Sequence, residues 1–115
     1  MTRVSEHPNI VAGYGEQTFA EQYRLNIKLP MPEAKFLTLL KKLGLGYDTC
    51  GERGGAIEIP RPRHVTSVDL SKVQKCYEVY GGIDKVDHIG RYYTVYVSTN
   101  HQVIYIENDF AFSGP

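Results

Sequence analysis

Four basic side chains are the best suited to chemistry by type and spacing: Arg53, and then Arg61, Arg63 and His64 on a proline-held loop. An arginine fork presents donors in a plane that matches phosphate or carboxylate. Pro60 and Pro62 hold Pro60-Arg61-Pro62-Arg63-His64 extended. The chemistry this implies is recognition of a phosphate-containing small molecule or RNA, with a carboxylate such as Glu58 for acid–base work. The two segments flank one expected strand at opposite ends, so a common site requires a fold that bends them together. The alternative is a solvated basic loop after an edge strand.

The other chemically able residues are scattered. Glu58 and Glu107 share a cleft only if their strands are neighbours. His7, His64, His88 and His101 form no i, i+2 or i, i+4 pair, so no metal site is expected. Cys50 and Cys76 lie in no CxxC motif; a disulfide between them requires an exported protein, and in an intracellular chain they read as free, inert thiols. Gly44-Leu45-Gly46 follows a helix rather than a strand, which makes it a cap and turn instead of a nucleotide loop. No catalytic residue and no cofactor is expected.

The remaining candidate surface is aromatic. The chain has nine tyrosines and no tryptophan. Three of them, Tyr92, Tyr96 and Tyr105, belong to the most β-prone stretch, Arg91–Asn108, which reads as a hairpin around Thr99, Asn100 and His101. A two- or four-residue loop pairs Val95 with Ile106, Val97 with Ile104 and Tyr96 with Tyr105, giving one aliphatic and one tyrosine-rich face. A three-residue loop pairs Val97 with Val103 and mixes the two sets. The tyrosine face is then either a second core layer or a contact surface for a protein partner or a second copy of the chain.

The elements that must position these groups follow from periodicity. Residues 1–18 read as a partly flexible N-terminal segment, with Ile10-Val11-Ala12 as a candidate edge strand. Glu21 to Leu29 alternates strictly and predicts a half-buried strand. Pro32 opens a helix that carries the stripe Phe36, Leu37, Leu39, Leu40 and Leu43 and ends at Gly44. Tyr47–Cys50 and Ala56–Ile59 read as a second hairpin around a glycine-rich turn. Leu70, Val73, Tyr77 and Tyr80 at i, i+3, i+7 and i+10 predict a second helix, capped by Thr66 or Ser67 and closed by Gly81-Gly82. Residues 83–89 are a weak strand candidate.

The expected fold is a single α+β domain, residues 1–115, with an antiparallel β-sheet and two α-helices packed on one face. The element order matches a ferredoxin-like β-α-β-β-α-β unit with an added C-terminal hairpin. Net charge is zero, which gives no global field for nucleic acid or an anionic membrane. No apolar run reaches the ~20 residues that span a bilayer. The polar N-terminus has no leader-like apolar region, which points to the cytoplasm. The functional expectation is a small protein-binding module of inhibitor, immunity or adaptor type, working through the tyrosine face. The alternative is an enzyme or ligand-binding protein that uses Arg53, Arg61, Arg63 and His64.

Overall fold

The structure, a computed structural model, describes residues 15–64, 68–84 and 89–112; the side chains of 81–84, 89–92 and 109–112 fall outside that description. The elements are α1 (Glu16–Gln22), β1 (Met31–Pro32), α2 (Glu33–Leu43), β2 (Gly46–Glu52), β3 (Val73–Asp84), β4 (Ile89–Ser98) and β5 (Gln102–Phe112). The five strands form one sheet in the order β1-β5-β4-β3-β2, antiparallel throughout. The α+β class with both helices on one face is as expected. The connectivity is different: both helices precede β2, and β2 to β5 run as a meander rather than a split β-α-β-β-α-β unit.

The helix α2 forms where its signals place it. Glu33 lies in the first turn, Lys41 and Lys42 in the last, so charge opposes the helix dipole at both ends. Gly44 adopts φ 73°, and Leu45 N–H reaches the Leu40 carbonyl at 3.0 Å, which satisfies the last turn. Phe36 and Leu40 are fully buried against the sheet.

The segment from Glu21 to Leu29 is not a sheet strand. Its beginning is the end of α1, and Gly15 to Thr18, expected as flexible, also lies at or in that helix. The helix closes with Arg24 N–H on Glu21 O (3.2 Å) and Leu25 N–H on Ala20 O (2.7 Å). Arg24 takes the left-handed position, φ 55°, that glycine usually fills. With no glycine to mark it, the stop is invisible in the sequence. Beyond it the alternation is real: Leu25, Ile27 and Leu29 pack on the core while Arg24, Asn26 and Lys28 are exposed. The segment is extended but, among the described residues, pairs with no strand. The expected edge strand at Ile10–Ala12 lies outside the described residues.

The expected second helix is strand β3, entered through one 3-10 turn at Leu70–Lys72. Its helical spacing is a coincidence of burial on both faces. Val73 and Cys76 point to one side of the sheet, Tyr77 and Val79 to the other, with a bulge between Val73 and Lys75. Gly81-Gly82 sits in a second register shift between Tyr80 and Ile83 instead of ending the element.

The β4–β5 hairpin uses both registers weighed from the sequence. Its turn is the three-residue kind: His101 N–H donates to Ser98 O at 2.9 Å, His101 has φ 64°, and Val97 pairs with Val103. A bulge then restores the other register, so that Tyr96 pairs with Tyr105, Val95 with Ile106 and Thr94 with Glu107. Ile104 is the residue squeezed out, and it joins Tyr105 on the tyrosine side rather than Val97 on the aliphatic side.

Each face of the sheet is thus a core. On one, Phe19 of α1 and Phe36 and Leu40 of α2 pack on Tyr77, Val79, Tyr93, Val95, Val97, Val103 and Ile106. Phe19 anchors that layer through ring contacts with Tyr23, Phe36 and Tyr93. On the other, Val73, Cys76, Tyr96, Ile104 and Tyr105 are covered by Val68, Ile59 and Leu70 from the long connection between β2 and β3. The second arm expected at Ala56–Ile59 is part of this connection and not a strand. It leaves β2 so closely that a Cβ on Gly51 would stand 2.6 Å from the Glu58 carbonyl oxygen, which makes glycine obligatory there.

Candidate functional site

The β2–β3 connection crosses the tyrosine face as a strap, and its polar anchors are the residues singled out by sequence. Arg53 spends its guanidinium on backbone carbonyls: Nε on Val73 O (3.1 Å), and a terminal nitrogen on Leu70 O (2.5 Å) and Val73 O (2.9 Å). Tyr96 Oη donates to Pro60 O at 2.9 Å. The Glu107 carboxylate, 2% exposed, accepts from the backbone N–H of Arg63 (2.6 Å) and of His64 (2.7 Å). The His64 ring stands 3.8 Å from the same oxygen. Arg61 is exposed.

Arg53, Arg61, Arg63 and His64 therefore do not converge. Arg53 is anchored at Val73, opposite Ser98, whereas Arg63 and His64 are anchored at Glu107, opposite Thr94. Positions 98 and 94 of one strand are about 13 Å apart at the usual rise. Two consecutive N–H groups closing on a carboxylate form an anion nest, but the anion is the chain's own. Glu58 is exposed on the strap, far in role from the buried Glu107.

Tyr96 and Tyr105 are 1% and 0% exposed, with ring centroids 5.8 Å apart. They are a second core layer and present no surface, because the strap closes over them. The side chain of Tyr92 lies outside the described residues.

Cys50 and Cys76 are bonded to each other, not free. Thr49 pairs with Tyr77 and Gly51 with Cys76, so the bulge between them swings Cys50 toward its neighbour, with Cα atoms 5.4 Å apart. The expectation of free thiols failed because the bulge and the strand nature of β3 were both unread.

A cluster that sequence reasoning missed lies at the start of α2. Tyr77 Oη donates to Glu33 Oε2 at 2.5 Å, Lys75 Nζ lies 3.1 Å from the same oxygen, and His101 Nδ1 is 3.4 Å from Oε1. Burial pushes the Glu33 carboxyl up, but hydrogen bonds from Tyr77 and Lys75, with the Lys75 charge and His101, outweigh it and leave the pKa below the usual glutamate value. Burial also works against the Lys75 charge, yet Glu33 holds its pKa above the ordinary one. Burial and the Glu33 carboxylate together raise Tyr77. This arrangement braces helix to sheet: it fixes an acid in its charged form and a phenol in its neutral form, the reverse of activating either. Among the described residues, no group of three His, Cys, Asp or Glu side chains converges as metal ligands would.

The described residues also form a groove of about 360 Å3 between residues 25–27 and α2. Leu25, Ile27, Met31 and Leu39 line it, with Asn26, Lys35, Thr38 and Lys42 around them. On α2 the lining residues are Lys35, Thr38, Leu39 and Lys42, a single stripe at i, i+3, i+4 and i+7. The signal for it was present in the sequence: Leu39 lies off the Phe36–Leu40 line, which is the stripe the helix buries.

Comparison with protein-family models, with curated proteins and with solved structures finds no significant match for this chain. Among the described residues, no helix is long and apolar enough to cross a membrane.

Proposed function

We propose that this chain is a small protein-binding module that acts by contact, and that its contact surface is the groove beside α2. The observation that carries the reading is an apolar floor of Leu25, Ile27, Met31 and Leu39 open at the surface within a polar rim, the composition of a contact patch. The groups with the most chemical promise support the same reading, since Glu33, Glu107 and Arg53 are engaged by the chain's own atoms. Tyr96 and Tyr105 serve it indirectly, as the rigid second layer behind the sheet. The Cys50–Cys76 bond favours an oxidising compartment over the cytoplasm that the sequence suggested.

The test is retention of a partner by immobilised protein. Leu39→Asp should abolish retention while its thermal melt stays cooperative, and Arg61→Ala on the far strap should leave retention intact. Equal retention by wild type and Leu39→Asp would sink the proposal.

A further inference from the structure

Resting on the groove as the contact surface, we infer that its occupant is an acidic amphipathic helix of a partner protein, laid alongside α2. The argument is complementarity of charge and of period. Every charged side chain lining the groove is a lysine, Lys35 or Lys42, and neither belongs to the ion pairs formed among the described residues. The two lysines stand seven residues apart on a regular helix, about 10.5 Å along its axis. Between them Leu39 supplies the apolar contact, and Leu25 and Ile27 form the opposite wall. A helix packed beside α2 meets this pattern with the same period: two carboxylates at i and i+7 reach the lysines, and apolar residues at i+3 and i+4 fill the floor. An extended segment places alternate side chains at a different spacing and matches only one lysine at a time. The mode is helix in groove, with the lysines setting register and sign.

The experiment uses the full chain and a labelled synthetic helix of about 21 residues, beyond the ~12–15 below which an isolated helix is marginal in water, with leucines at the apolar positions and glutamates at i and i+7. A second peptide has lysines in place of those glutamates. Fluorescence anisotropy should show the acidic peptide binding and the basic one binding at least about ten-fold more weakly. The double variant Lys35→Glu/Lys42→Glu should reverse that preference, a result that simple loss of folding cannot produce. Equal binding of the two peptides, or binding of neither, overturns the inference. So does binding of decanoate, read by titration calorimetry, where neither peptide binds, which assigns the groove to an anionic amphiphile. A dimeric solution mass that Leu39→Asp reduces to monomer assigns it to a second copy and overturns the inference as well. Failure of the peptides together with Leu39-dependent retention of a partner removes the acidic helix and keeps the groove; loss of both removes the groove.

Discussion

Tyr77 Oη donates to Glu33 Oε2 at 2.5 Å, joining the middle of β3 to the first residue of α2. Lys75 and His101 close on the same carboxylate, so one side chain ties the helix to β3 and to the β4–β5 turn. Helix α2 lies between this brace and the groove, and the brace sets how that helix sits on the sheet.

The first prediction concerns acid. The Glu33 pKa is depressed in the folded chain, so its contribution is present above the unfolded carboxylate value and is lost as pH falls through the folded one. Glu33→Gln should cost about 1.5–3 kcal/mol at neutral pH, the range for a hydrogen bond to a charged group. It should also flatten the acid limb of stability below the ordinary glutamate range. Lys75 works the other way: its raised pKa gives stability that is present below the unfolded lysine value and lost as pH rises through the folded one. Urea unfolding across pH decides it. Parallel acid limbs for wild type and Glu33→Gln would show that the carboxylate is not the titrating brace.

A second prediction follows from the strap. Glu107 is buried and receives two backbone N–H groups, so Glu107→Ala leaves both donors and costs about 2–4 kcal/mol, whereas Glu107→Gln keeps an acceptor and costs less. Release of the strap exposes the bond after Arg63, while the bond after Arg61 precedes a proline and resists trypsin. Limited trypsin digestion should cut Glu107→Ala at Arg63 well before wild type. Identical digestion of the two would show that the carboxylate does not hold the strap down.

What was legible in the sequence was local. The α2 helix carries its own entry proline, charges and closing glycine, and the β4–β5 hairpin its own β-branched and aromatic arms. What was not legible depended on distant partners. Alternation at Leu25, Ile27 and Leu29 reports an extended chain against a core, and says nothing of a neighbouring strand. Helical spacing at Val73, Tyr77 and Tyr80 arose because β3 is bulged and buried on both sides, a pattern a single segment cannot distinguish from a helix face. The Glu33 brace joins segments far apart in sequence, so it was not visible before the fold; of the groove, only the position of Leu39 off the buried stripe was; the basic loop was visible, but its anchor on Glu107 was not.

The tyrosine pair yields a third prediction, of opposite sign to the surface reading. Tyr105→Ala should destabilise the fold by about 3–5 kcal/mol, as for other large core aromatics. Tyr96→Phe, which removes only the hydroxyl donated to Pro60, should cost about 1 kcal/mol. Chemical denaturation midpoints measure both. A Tyr105→Ala protein as stable as wild type would return that ring to the surface.

The fourth prediction isolates the disulfide. The bond closes a loop with a sequence separation of 26 that contains the whole strap, which on chain entropy corresponds to about 3.5 kcal/mol. Reduction, or Cys50→Ala with Cys76→Ala, should lower stability by that order. The loss should concentrate at the edge strand β2 and the strap, because β3 keeps its other neighbour β4. Hydrogen exchange should therefore accelerate at residues 46–64 and stay slow in β4 and β5. Alkylation adds an ordering. After reduction under native conditions, Cys50, which is half-buried, should be modified before Cys76, which is fully buried in the second core. Reagent entering both at one rate, with exchange rising evenly through the sheet, would mean that the bond holds the whole fold together rather than the edge and its strap.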